Sequence, residues 1–210
     1  MKKTAAITGA LSLALVLTGS SLQAAVPKGK VIIEDPMGDA NFVNDQGTGD
    51  GSFGDFDLPA SVGTVSDLLE VQMSNDAKNL YVTIVTQAAP PATTAIGYRV
   101  RTNPDGAGGT YCLRFEAFYP GAQSAIEEPI AQLVDACNGM ETTELEVQGT
   151  TLIVPRSAND AFGKGGELTA AQAQAFVHFG STPPVIGPMA DTTTVQGDYK
   201  LVDKKKKKKR

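Results

Sequence analysis

Oxygen donors dominate the residues that could do chemistry in this chain of 210 residues. No basic side chain lies between Lys30 and Lys78, while ten acids do: Glu34, Asp35, Asp39, Asp45, Asp50, Asp55, Asp57, Asp67, Glu70 and Asp76. Crowded carboxylates repel one another, so a folded segment must disperse, hydrate or neutralise them. A hard divalent cation achieves the last, because calcium takes about six to eight oxygens from carboxylates, amides and backbone carbonyls. Asp35, Asp39 and Asn41 stand together just after the apolar run Val31-Ile32-Ile33, and Asp67 opens a later run. These four are the candidate metal ligands, with calcium as the expected ion. Glycine and asparagine between 36 and 54 supply backbone freedom for wrapping a ligand set.

Named calcium motifs do not fit. Counted from Asp39, an EF-hand loop would meet Val43 where it needs an acid. Gly51 to Leu58 approaches a nonapeptide β-helix repeat, but Phe56 occupies the aspartate position and the segment occurs once. A solvated acidic loop therefore stands beside the metal site as an open alternative.

Catalytic chemistry finds little material. His178 is the sole histidine, so a two-His metal site cannot be built within one chain. A hydrolytic triad would have to use it, and no Gly-x-Ser-x-Gly elbow is present. The glycine-rich segments lack the lysine and helix start of a phosphate loop. A carboxylate pair for glycoside hydrolysis cannot be singled out among 23 acids. The expectation is a protein that is not an enzyme.

Charge is unevenly placed. The formal net charge is −5, yet nine of the 18 basic residues lie at the two ends. The body between them carries nine bases against 23 acids, which argues against the domain gripping nucleic acid phosphates. Lys2 and Lys3, the apolar run Ala10 to Thr18 and the small residues before Val26 read as a signal peptide over 1–25, removed on export. That run is too short to span a membrane, so no transmembrane segment is expected and the protein should be secreted or held at the cell surface. In an oxidising compartment, Cys112 and Cys137 are most simply one disulfide.

At the other end, Lys204, Lys205, Lys206, Lys207, Lys208, Lys209 and Arg210 follow the last strand-like run, Tyr199 to Val202. So dense a block of like charge should be disordered. It reads as a contact for an anionic surface such as lipid headgroups or wall polymers, as a partner folding back on the acidic loop, or as an added tag.

The elements that must position these groups show two-residue alternation, the signature of half-buried strands. It runs through Leu68–Met73, Leu80–Val85, Ile96–Arg101, Tyr111–Phe118, Glu144–Gln148 and Leu152–Val154. Asn75-Asp76, Pro90-Pro91 and Asn103-Pro104-Asp105-Gly106 supply turns between them. Ser157 to Phe162 could make a helical turn or two. Residues 168–178 carry a capping-box spacing at Thr169 and Gln172, but Ala173, Ala175 and Val177 alternate with Gln172, Gln174 and His178, which favours a strand. The expected fold is all-β, an antiparallel sandwich over 26–203.

The segment Ile33-Glu34-Asp35-Pro36-Met37-Gly38-Asp39-Ala40-Asn41, with Ser66-Asp67-Leu68 opening a strand and Leu80-Tyr81-Val82-Thr83 continuing the pattern, resembles secreted bacterial β-sandwich domains. It is similar to the family-9 carbohydrate-binding modules and the DOMON superfamily, in which a D-P-x-G-D segment precedes an acidic strand start. The resemblance implies a jelly-roll-like sandwich, often with bound calcium, that serves as a ligand-binding or accessory module without catalysis. Glycan or a cell-wall polymer is then the favoured ligand class. Such sites commonly hold sugar between Trp rings, and this chain has no Trp; Tyr81, Tyr98 and Tyr119 are the candidate substitutes. A structural or adhesion protein, tethered to anionic surfaces by its lysine tail, is the alternative.

Overall fold

The computed structural model describes residues 26–40, 60–90, 95–104, 111–121, 124–179 and 184–203. The expected leader 1–25, Asn41 with the rest of the acidic loop to 59, and the basic tail 204–210 lie outside the described residues. Among the described residues, eleven strands and a short helix follow in the order β1 (Lys30–Glu34), α1 (Ala60–Ser66), β2 (Leu68–Asn75), β3 (Asn79–Thr86), β4 (Ile96–Pro104), β5 (Leu113–Phe118), β6 (Ile130–Asp135), β7 (Glu141–Gln148), β8 (Thr151–Pro155), β9 (Glu167–Phe179), β10 (Val185–Thr192) and β11 (Tyr199–Lys200).

The fold is all-β. A single curled antiparallel sheet has the order β1-β2-β3-β8-β7-β6-β5-β4-β9-β10, with β11 added to β9. Strands β4 to β8 form a meander flanked by β3 and β9, and β1 and β2 pack against β9 from the far end of the order. Local chemistry explains the tight turns. Asp76 accepts the backbone N–H groups of Lys78 and Asn79 at 2.7 and 2.8 Å, an Asx turn joining β2 to β3. Gln148 pairs with Thr151, which leaves a two-residue loop whose Gly149 adopts φ +58°, as such hairpins require.

Alternation sorts the side chains. Val71, Met73, Leu80, Val82, Tyr98, Val100, Leu113, Phe115 and Leu133 line one buried interior. The opposite face of the β4-β5-β9 region is also covered, because Phe118, Ile126 and Phe176 form a second apolar cluster with Ile130, Ile186 and Met189. Gly97 stands directly opposite Phe176 across the β4–β9 ladder, and a Cβ there would fall 2.3 Å from the ring. Phe176 has no exposure into which it can retreat. Gly97→Val is expected to cost about 1–3 kcal/mol by overpacking, measured as a lowered denaturant midpoint at unchanged slope.

Several expectations meet their elements. Cys112 and Cys137 form a disulfide with a Cα separation of 4.9 Å, closing the β5–β6 hairpin beside the Ala136 N–H to Cys112 carbonyl bond. In the chain-entropy account, that loop is worth about 3–4 kcal/mol. Residues 168–178 belong to β9, so the strand pattern prevails over the capping-box spacing. The stretch around Ser157 forms two 3₁₀ turns, Arg156–Ala158 and Asp160–Phe162, with the Asn159 side chain accepting the Ala161 N–H at 2.9 Å. Helix α1 and strands β6 and β10 were not expected.

Candidate metal centre

Strand β1 ends at Glu34, and the chain continues its pairing for one further residue through the Asp35 N–H to the Leu69 carbonyl at 2.9 Å. Pro36 then prevents further ladder donation, and Gly38 turns the backbone with φ +86°, a conformation open to glycine without a Cβ penalty. This reversal returns Asp39 toward Asp35. The turn is anchored from below by Asp67, whose two carboxylate oxygens accept the Gly38 N–H at 3.1 and 2.9 Å. Asp67 is itself buried, held between α1 and β2 by its N–H to the Gly63 carbonyl.

A fourth acid arrives from the other end of the chain. Asp191, near the end of β10 and 5% exposed, accepts the Leu68 N–H on Oδ2 at 2.8 Å. One carboxylate oxygen from each of Asp35, Asp39 and Asp191 lies within 4.8 Å of the others. Asp35 Oδ2 is buried with no hydrogen-bond partner. None of the ion pairs among the described residues involves Asp35 or Asp191.

Electrostatics report the strain of this arrangement. Burial, followed by the nearby charges of Asp191, Asp39 and Asp67, pushes the Asp35 carboxyl up to about 6. Burial likewise raises Asp191, against the lowering effect of its Leu68 and Thr192 backbone donors, with Asp39 and Asp67 adding repulsion. Three clustered carboxylates, one of whose residues also holds a partnerless buried oxygen, are chemistry that suits a hard cation, which takes oxygen ligands and inverts the repulsion. Asp35, Asp39 and Asp191 could each supply one ligand atom. Backbone carbonyls or water would have to supply the remainder.

Of the four ligands expected from sequence, Asp35 and Asp39 therefore come together. Asp67 stands within electrostatic reach but spends its carboxylate on the Gly38 N–H, and Asn41 lies outside the described residues. Asp191 was missed. It sits on a strand interrupted by Gly187 and Pro188 and by two register shifts, so no alternation announced it.

The expected ligand-binding tyrosines are all buried. Tyr98 is wholly inaccessible with its hydroxyl donating to the Val65 carbonyl at 2.7 Å. Tyr119 is buried and donates to the Gly149 carbonyl at 2.7 Å, and Tyr81 donates to Asp76 at 2.8 Å. All three are packing residues, with too little open ring face for a sugar. His178 is equally enclosed, with Nε2 bonded to the Tyr119 carbonyl at 2.9 Å and its ring edge-on to Phe118. Compared with family models, with curated proteins and with solved structures, the chain matches none, so its functional reading rests on this centre and on the residues around it.

Proposed function

We propose that this chain is an exported, non-catalytic binding module, a β-sandwich whose curled sheet is closed by a calcium ion between Asp35, Asp39 and Asp191. Glycan is the favoured ligand class. The observation that carries the metal reading is the cluster of Asp35, Asp39 and Asp191 carboxylates, with a buried, partnerless oxygen on Asp35. Its location gives the ion a structural role. Asp35 and Asp39 follow β1 and Asp191 lies on β10, the two ends of the strand order. A cation there would tie one edge of the sheet to the other, alongside the Leu68 to Asp191 bond already joining them. The binding-module reading is supported by the buried state of the single histidine and by a polar, arginine-bearing sheet face described below.

Calorimetric titration of the chelator-stripped protein with calcium tests the metal reading. One saturable site per chain is expected, with a matching rise in melting temperature. Absence of both heat and thermal shift up to millimolar calcium would remove it.

A further inference from the structure

The body of this acidic protein holds only four arginines, and three of them share one sheet face. On β4, Arg99 and Arg101 point away from the Tyr98 and Val100 side, and on β5 so do Arg114 and Glu116. Arg99 pairs with Glu116 at 2.6 Å, and Gln132 donates to the other Glu116 oxygen at 2.7 Å. Glu116, the acid beside these arginines, is thereby committed, and Glu144 lies two strands further along the same face. Arg101 and Arg114 are left directly opposite each other in the β4–β5 register, a like-charge pairing that destabilises a sheet.

Neither arginine has an ion-pair partner among the described residues, and the Nε atoms of both are buried without a hydrogen bond. Arg101 lies against the half-buried Tyr111 ring, its guanidinium carbon 5.8 Å from the centroid. Around them, Gln172 uses its amide nitrogen on the Thr193 carbonyl, and Gln174, 7% exposed, holds a buried Oε1 with no donor. Among the described residues, the face thus offers two guanidiniums without an ion-pair partner, the Tyr111 ring and the Gln172 amide oxygen, which can accept from a hydroxyl.

We propose that Arg101 and Arg114, with Tyr111 and Gln172 beside them, form a binding site for the carboxylates of an acidic polysaccharide. The proposal rests on the binding-module reading and names its ligand. A planar guanidinium matches a carboxylate with two parallel hydrogen bonds. A uronate carboxylate would relieve the repulsion between the two cations, while its ring hydroxyls meet the amide side chains. Neutral sugar would leave that repulsion in place.

The test uses the full chain and polygalacturonate, with carboxyl-reduced polygalacturonate and inorganic polyphosphate as comparison probes, in about 0.15 M salt to screen the exposed tail. The variant is Arg101→Gln with Arg114→Gln, which should melt no lower than the parent because a like-charge pair is removed. Polygalacturonate is expected to bind the parent and to lose at least about tenfold in affinity for the variant, the scale of one charge-assisted bond. The carboxyl-reduced polymer should not bind. Equal binding of polygalacturonate by parent and variant would overturn the site, placing any contact elsewhere. Tighter binding of polyphosphate, lost in the variant, would overturn the carboxylate assignment. Equal binding of the neutral polymer by both proteins would overturn the arginine site while leaving a glycan-binding module standing, and binding of none of the three would overturn the site together with the glycan reading.

Discussion

Asp35→Asn is expected to raise the melting temperature in chelator and to abolish the gain from calcium. Both effects follow from one oxygen. In the metal-free protein, Asp35 Oδ2 is buried, partnerless and near the charges of Asp191, Asp39 and Asp67. Replacing it with an amide nitrogen removes one negative charge and supplies a donor that the neighbouring carboxylates can accept. Relief on the order of 1 kcal/mol corresponds to about 2–4 °C for a chain of this size. With free calcium at about ten times the dissociation constant, the parent should gain about 1.4 kcal/mol by linkage, and the variant nothing. Opposite signs in the two conditions are the signature. A variant that melts lower than the parent in chelator would mean that Asp35 is stabilised by contacts other than a cation.

The same carboxylate sets a pH dependence. Its folded-state value of about 6 lies above the ordinary 3.8, so the folded protein holds the proton more tightly than the unfolded chain. That contribution to stability is fully present below about pH 4 and is lost as pH rises through about 6. Buried His178 works in the other direction: burial lowers its value from the ordinary 6.5, so its contribution fades as pH falls through the range near 6.5 and below. Between pH 7 and 5 in chelator, these two groups oppose each other in the parent. In Asp35→Asn the Asp35 contribution is gone while those of His178 and the likewise raised Asp191 remain, so stability should fall more steeply, or rise less, on acidification than in the parent.

Legibility differed sharply between the sheet and the site. The strands β2, β3, β4, β5 and β8 were readable because apolar side chains on the interior face alternate with mostly polar ones on the other, even where that other face is also covered, as on β4 and β5. Strand β6 was hidden because Val134 and Ile130, on its outward face, are themselves covered by or packed into the apolar layer. Strand β10 was hidden by Gly187 and Pro188, tolerable there because the strand closes one end of the order and its ladder is already broken by register shifts. Part of the candidate metal centre was legible for a related reason. Asp35 and Asp39 are four residues apart and joined by a glycine turn, a local pattern. Asp191 is brought to them only by the closure of the sheet. The tyrosines were misread because alternation gives a face but not its burial, and both faces of this sheet are partly covered. The alternation through Ile96–Arg101 and Tyr111–Phe118 sets Arg99, Arg101 and Arg114 opposite the apolar side chains, and the register agrees. Their meaning emerged only from the register that puts Arg101 opposite Arg114.

Glu116→Ala should be the most damaging single change on that face, at about 3–5 kcal/mol. The Arg99–Glu116 pair has side-chain exposures of only 7% and 5%, so removing the acid leaves a desolvated guanidinium with no water to replace it. Three arginines would then have lost their adjoining acid, the next on that face being the exposed Glu144 two strands away, and Gln132 would lose its acceptor as well. The Arg99 guanidinium sits 5.4 Å from the Phe176 ring centroid, a contact worth about 2 kcal/mol in such a desolvated setting and already present in the parent, so it does not offset the loss. Glu116→Gln should cost less, because it keeps the shape and an oxygen for Gln132 while losing the charge. The decisive comparison is the double variant Arg99→Met with Glu116→Leu. Apolar side chains of similar volume remove both buried charges at once, so most of the loss should return. Denaturant midpoints of the three variants check the order, and a Glu116→Ala cost below about 1 kcal/mol would show that water reaches the pair. Stability recovered in the double variant would also separate the two roles of this face, because Arg101 and Arg114 would remain in place to bind. The committed pair would then be scaffold, and the uncommitted pair the part that awaits a ligand.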